Sequence, residues 1–206
     1  MQTCCLIDYG SGNVHSARKA LAHVGGGRHE VLLSSDPDVI ARADRVVLPG
    51  VGAFASCMGR LSEADGVIDA IRAFVGTGRP FLGICVGMQL MADEGEEHGG
   101  AKGLGLITGR VTKLDTAGLP SPHMGWNDVR AAGPRHPILP PDGDAYFVHA
   151  YAYEPDDPSV VAATADYPAP FPAMIARDAL VGTQFHPEKS QAYGLALLRN
   201  FLEWSP

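Results

Sequence analysis

Short apolar runs alternate with amphipathic stretches through the first half of the chain. Thr3–Asp8 is an apolar run that ends in the turn cluster Asp8-Tyr9-Gly10-Ser11-Gly12. Val14, Ala17, Leu21 and Val24 then fall at helical spacing, and Gly25-Gly26-Gly27 stops the helix. His29–Leu33 and Arg45–Leu48 read as a second and a third strand, the latter running into Pro49-Gly50-Val51-Gly52. Ser62 and Asp65 match a capping box ahead of apolar Val67, Ile68, Ile71, Phe74 and Val75. Pro80–Ile84 is a fully apolar strand, and Val86–Met91 opens another helix. Apolar strands separated by amphipathic helices predict a parallel sheet covered on both faces.

From Gly103 the pattern changes to strands in succession: Leu104–Leu114, Ala145–Tyr153, Val160–Ala165, Met174–Ala176 and Leu180–Phe185. A last helix, Gln191–Trp204, carries Leu195, Leu198, Phe201 and Leu202 on one face. No repeat or linker interrupts the chain, so the changeover near Gly99–Gly103 reads as a loop. The expected architecture is a three-layer α/β sandwich with a mostly parallel central sheet and an added antiparallel portion. Residues 1–206 are expected to form one domain.

Charge narrows the range of partners. With 16 Lys+Arg against 23 Asp+Glu, the net charge of −7 argues against nucleic acid or an anionic membrane, both of which call for a basic face. The first residues have no basic segment leading into an apolar one, and no apolar run reaches membrane-spanning length, so a cytoplasmic location is expected. Of the four cysteines, Cys4, Cys5 and Cys57 read as small core residues.

Cys85 has a different setting. Gly83-Ile84-Cys85-Val86-Gly87 lies between an apolar strand and a helix, the context of a nucleophile elbow. Such a turn points the thiol out of the sheet, and the following helix N-terminus favours thiolate. Among eight histidines, His186 stands out because it opens His186-Pro187-Glu188 directly after a strand. Pro187 holds His186 extended, so Glu188 can lie beside it and orient the imidazole. Taken alone, that pair reads equally well as a surface pair at a strand end. No third ligand at recognisable spacing makes it a metal site. His149, in the alternating strand, reads as a core histidine, or as one that supports the site from behind the groups touching substrate, rather than as a base. Backbone donors for an oxyanion would come from Pro49-Gly50-Val51-Gly52 and from the Val86 amide, although a P-G-x-G by itself is simply a turn.

Together, Gly83-Ile84-Cys85-Val86-Gly87-Met88-Gln89 and Gln184-Phe185-His186-Pro187-Glu188 resemble the class I (triad) glutamine amidotransferases. Asp8–Asn13, Pro49–Phe54, Pro122-His123-Met124-Gly125-Trp126-Asn127, Tyr146–His149 and His186–Ser190 narrow the likeness. They are similar to the glutaminase subunits of imidazole glycerol phosphate synthases, with P-H-M-G-W-N the most specific piece.

The resemblance implies a flavodoxin-like fold, L-glutamine as substrate, no cofactor and no metal. It makes Cys85 the nucleophile, His186 the base and then the acid, and Glu188 the residue that orients it. Val51, Gly52 and Val86 would supply oxyanion N–H groups, with the Gly50–Val51 peptide turning its N–H inward only when a partner's ligand binds. Gly52, Gln89, Glu97, Ala150 and Tyr151 would hold glutamine. Ala150 stands where relatives commonly carry Ser or Thr, which leaves only a backbone contact there. The implied partner is a separate (β/α)8-barrel cyclase, because a barrel takes about 250 residues. That cyclase would convert a phosphoribulosyl-formimino carboxamide ribotide (PRFAR) to imidazole glycerol phosphate and AICAR. Asn13, Trp126, Asn127, Tyr146 and Lys189 would lie near the contact.

Overall fold

The computed structural model describes residues 1–206 throughout. Nine strands form one twisted sheet in the order β2-β1-β3-β4-β13-β12-β11-β8-β9. β1 (Gln2–Ile7), β2 (His29–Ser34), β3 (Arg45–Gly50), β4 (Phe81–Cys85) and β13 (Leu180–Thr183) are mutually parallel. β12 (Pro170–Arg177), β11 (Val161–Asp166), β8 (His123–Ala131) and β9 (Gly143–His149) extend it antiparallel. A smaller sheet is ordered β10-β7-β5-β6, built from β5 (Glu94–Gly95), β6 (Ala101–Lys102), β7 (Gly109–Lys113) and β10 (Tyr151–Pro155).

The crossovers divide the helices between the faces. From β1 the chain moves outward to β2 through α1 (Val14–Gly25), then returns past β1 to β3 through α2 (Pro37–Arg42). Right-handed crossovers in opposite directions place α1 and α2 on opposite faces. α3 (Phe54–Glu63) and α4 (Val67–Val75) continue in the direction of α2, α4 packing on α2 and α3 on α4, while α6 (Gln191–Glu203) packs on α1. The expected three layers and the parallel-plus-antiparallel sheet are therefore present. β1, β3 and β4 are buried along almost their whole length, which accounts for their unbroken apolar sequence. No helix is long and apolar enough to cross a membrane.

Several boundaries differ from the sequence reading, each for a physical reason. Ser62 does not cap α4; it lies within α3, and its hydroxyl donates back to the Met58 carbonyl at 2.8 Å. α4 instead starts after Gly66, at φ 70°. The helix after Cys85, α5 (Val86–Gln89), has only one turn. The carbonyls of Leu90–Asp93 are taken by backbone N–H groups of Gly103–Leu106, which both ends α5 and keeps Leu104–Ile107 from being strand. The run Ala145–Tyr153 is two strands in different sheets, β9 and β10, parted at Ala150. Gly26 at φ 54° caps α1, as the glycine triplet implies.

The carboxyl end of β13 is held by α6. A Cβ on Gly194 would lie 1.9 Å from the Pro187 carbonyl oxygen, so α6 approaches the His186-Pro187-Glu188 turn backbone to backbone. Gly194→Ala is expected to destabilise the chain by about 1–3 kcal/mol, the usual cost of overpacking. Urea denaturation at neutral pH checks this.

Candidate active site

The site lies at the carboxyl ends of β3, β4 and β13, where open parallel sheets leave a crevice between diverging connections. Cys85 ends β4 at φ 54°, ψ −114°, a conformation that costs a non-glycine residue about 1–3 kcal/mol. Its flanking glycines make that turn possible. A Cβ on Gly87 would sit 1.9 Å from the Leu48 carbonyl oxygen, and one on Gly83 would sit 2.6 Å from the Gly87 carbonyl oxygen. The Cys85 thiol is 3% exposed and receives a weak contact from the Gln184 side-chain N–H at 3.8 Å.

His186 follows β13 and is 1% exposed. Its Nδ1 lies 2.9 Å from Glu188 Oε1. Its Nε2 is buried without a hydrogen-bond partner. Burial alone would lower the imidazole pKa, but Cys85 and Glu188 together outweigh it and raise the value well above its usual 6.5. The imidazolium form is therefore favoured.

The Pro49–Gly52 turn has a defined geometry. β3 and β4 pair in register from Val46↔Phe81 to Gly50↔Cys85, and the Val46 N–H donates to the Pro80 carbonyl. Continuing that phase, the Gly50 carbonyl faces the Val86 N–H. The trans peptide then turns the Val51 N–H away from β4. The peptides on either side are anchored: the Tyr9 hydroxyl donates to the Pro49 carbonyl at 2.8 Å, and the Ser11 hydroxyl to the Val51 carbonyl at 3.0 Å. Gly52 follows at φ 101°.

Cys85, Val86, His186, Val51, Gly52, Gln89, Glu97, Ala150 and Tyr151 all line one cleft of about 590 Å³, with Asn13 and Lys189 at its rim. Glu97 sits at the N-terminus of α3, where Oε2 accepts from the Phe54 N–H at 2.8 Å. The Gln89 amide nitrogen donates to the Tyr151 carbonyl and to the Gln184 Oε1, both at 3.0 Å. Trp126 and Tyr146 stack edge to face at 6.1 Å, with the Lys189 ammonium 5.6 Å from the Tyr146 ring centre. Asn127 does not join them. Its amide turns inward, donating to the Asp166 carbonyl at 2.8 Å, and lies 3.2 Å from His123 Nε2.

Cys4, Cys5 and Cys57 are buried core residues, and burial pushes the Cys4 and Cys5 thiols up to about 12. The sequence reading missed Gln184, Tyr9 and Ser11. Gln184 adjoins the His186 motif, and the other two lie in the turn cluster after β1, but nothing in their spacing marks a contact with Cys85 or Pro49–Val51.

The glutamine amidotransferase class-I family model matches residues 5–204. The chain belongs to this family. It is 49% identical to the imidazole glycerol phosphate synthase subunit HisH of Zymomonas mobilis, covering 99% of this chain and 97% of that one. The same-named subunit of Caulobacter vibrioides is 51% identical over the full length of both. A solved glutamine amidotransferase shares the fold with a TM-score of 0.75 at 20% identity, covering 97% of each chain. PurLQS from Thermotoga maritima gives a TM-score of 0.72 at 16%, covering 98% of each.

For this amidotransferase, the raised His186 pKa fixes the sign of a pH effect. A cation favoured by folding contributes stability fully present below pH 6.5 and lost as pH rises through the folded value. Glu188→Gln removes part of that contribution. The wild type is expected to be more stable than Glu188→Gln near pH 6, with the gap narrowing at alkaline pH. Paired urea denaturation curves across that range measure it.

Proposed function

We propose that this chain is the glutaminase subunit of an imidazole glycerol phosphate synthase, hydrolysing L-glutamine to glutamate and ammonia. The observation that carries the reading is the buried line Cys85, His186, Glu188 at one end of a cleft, in a chain similar over its whole length to subunits of that name. As thiolate, Cys85 Sγ attacks the glutamine side-chain carbonyl carbon and forms a carbon–sulfur bond. His186 gives its proton to the departing nitrogen, so the carbon–nitrogen bond breaks and ammonia leaves. Water, deprotonated by His186, then attacks the γ-glutamyl thioester. The carbon–sulfur bond breaks, and glutamate and thiolate are released. Glu188 keeps His186 aligned through both halves.

Gly52, Gln89, Glu97 and the backbone of Ala150 and Tyr151 are assigned to glutamine. The Glu97 carboxylate suits the substrate's α-ammonium group. No three His, Cys, Asp or Glu side chains gather in a way that could hold a metal. The assigned chemistry needs neither metal nor cofactor.

The partner is a separate (β/α)8-barrel cyclase that adds the ammonia to PRFAR. Trp126, half exposed, together with Tyr146 and Lys189 beside the cleft, forms the proposed contact. The oxyanion needs the N–H groups of Val51 and Val86, yet at rest the Gly50 carbonyl faces the second and the first points away. The Gly50–Val51 peptide must therefore turn before the site is competent, and ligand binding in the partner is assigned that role.

Two variants test this. Cys85→Ser is expected to abolish glutamine-dependent synthesis by the complex while ammonia-dependent synthesis continues. Survival of both activities would remove Cys85 from the mechanism. Val51→Pro removes one oxyanion donor without touching the triad. It is expected to lower partner-stimulated glutamate release about 100- to 1,000-fold, with Cys85 still open to alkylation. Undiminished stimulated release would refute the turning peptide. High glutaminase or γ-glutamyl peptidase activity of the isolated chain would instead favour a stand-alone hydrolase.

A further inference from the structure

A buried polar chain leads from β8 to the nucleophile. His123 and His149 face each other across β8 and β9, with His123 Nδ1 3.0 Å from His149 Nε2. His149 Nδ1 lies 2.9 Å from the Tyr151 carbonyl, and His123 Nε2 lies 3.2 Å from the Asn127 amide nitrogen. Both rings are almost fully buried, and both are neutral; burial holds the His149 pKa down at about 4 and lowers that of His123.

The proton positions follow from either end. A carbonyl can only accept, so His149 carries its proton on Nδ1 and leaves Nε2 bare. At the other end, the Asn127 amide is oriented by its own bonds: Oδ1 accepts from the Asp128 N–H and Nδ2 donates to the Asp166 carbonyl, each at 2.8 Å. An N–H therefore faces His123 Nε2, and His123 also carries its proton on Nδ1. The two assignments meet between the rings as one donor and one acceptor. Had they disagreed, two lone pairs or two protons would face each other at 3.0 Å.

The chain continues inward. The Tyr151 carbonyl accepts from both His149 and Gln89, Gln89 donates to Gln184 Oε1, and the Gln184 amide nitrogen faces Cys85 Sγ. We propose that His149, aligned by His123 and Asn127, is a positioning residue of this site. It fixes the Tyr151 carbonyl and, through Gln89, aims the Gln184 N–H at the Cys85 sulfur. This deepens the glutaminase reading and rests on it for the substrate. It also gives Asn127 a role inside the chain rather than at the partner surface.

Nitrogen NMR of the imidazoles in the full chain is the first test: both His123 and His149 are expected as the Nδ1–H tautomer. An Nε2–H signal from His149 in the wild type overturns the proposal. Two variants of His123 then separate hydrogen bonding from packing, because His123 also stacks on Tyr167 at 4.1 Å and on Phe147 at 5.1 Å. His123→Phe keeps an aromatic ring but loses the donor. It is expected to leave His149 Nε2 without a donor while Nδ1–H stays on the Tyr151 carbonyl, and to raise the glutamine KM about tenfold, a change of about 1.4 kcal/mol, with a smaller change in kcat. His123→Asn keeps a donor near Nδ1 but loses the ring, and is expected to hold the His149 tautomer and the KM. The opposite ranking, Phe tolerated and Asn not, would make the pair a packing feature only and overturn the proposal. Absence of glutamate release from the wild-type complex would refute the glutaminase reading instead, while the tautomers would still decide the hydrogen-bonded chain.

Discussion

The site depends on how closely the turn after β4 approaches the end of β3. Leu48, Gly50, Gly83 and Gly87 bring two backbones together at distances no Cβ could share. That approach sets three things at once. It holds Cys85 in its strained conformation, places the Val86 N–H opposite the Gly50 carbonyl, and puts the start of α5 behind the sulfur. A well-packed interior deforms little, so the approach is stable once β1, β3 and β4 are buried. The strain at Cys85 is then a small part of a large core.

Much of this was legible in the sequence because the parallel half of the sheet is made of apolar strands with turns at their carboxyl ends. Cys85 and His186 were readable for the same reason: each follows such a strand, with glycines or a proline fixing the turn. The less legible part is antiparallel. β8 carries His123, Trp126, Asn127 and Asp128 and shows no apolar alternation, because much of it is exposed and only His123 and Val129 are buried. α2 and α3 did leave signals. Asp36-Pro37 is a capping residue before a first-turn proline, and Phe54, Met58 and Leu61 share a helical face. The break at Ala150 had none, since β9 and β10 continue one apolar run and part only because the second sheet claims Tyr151–Pro155.

Gln89 and Glu97 are assigned to glutamine by resemblance, and both line the cleft. Neither is distinguishable by spacing from an ordinary helix or loop residue. The fold brings both to the cleft, and it also occupies part of each: Gln89 is tied to Tyr151 and Gln184, and Glu97 to the N-terminus of α3. Their conformations are therefore set in advance, which would lower the ordering cost of the glutamine binding proposed for them.

The Pro49–Gly52 turn, proposed to bind the oxyanion, is the exception to this preorganisation, and its energetics suit a switch. Tyr9 and Ser11 anchor the peptides on either side, so only the Gly50–Val51 unit between them has to rotate. Rotation breaks one backbone hydrogen bond, worth about 1 kcal/mol net. In the mechanism proposed above it would in return place an N–H at the developing oxyanion, worth about 3–4 kcal/mol in the transition state. On the hydrogen bond alone, the resting form is favoured by about 1 kcal/mol. A partner that discriminates between the two forms by about 1–3 kcal/mol, the ordinary range of coupling between sites, is enough to shift the population. Gly50 is required on both counts: its missing Cβ permits the close packing against Val86 and Gly87, and its conformational freedom lets the peptide turn. A bulkier residue would cost the site both its assembly and its control.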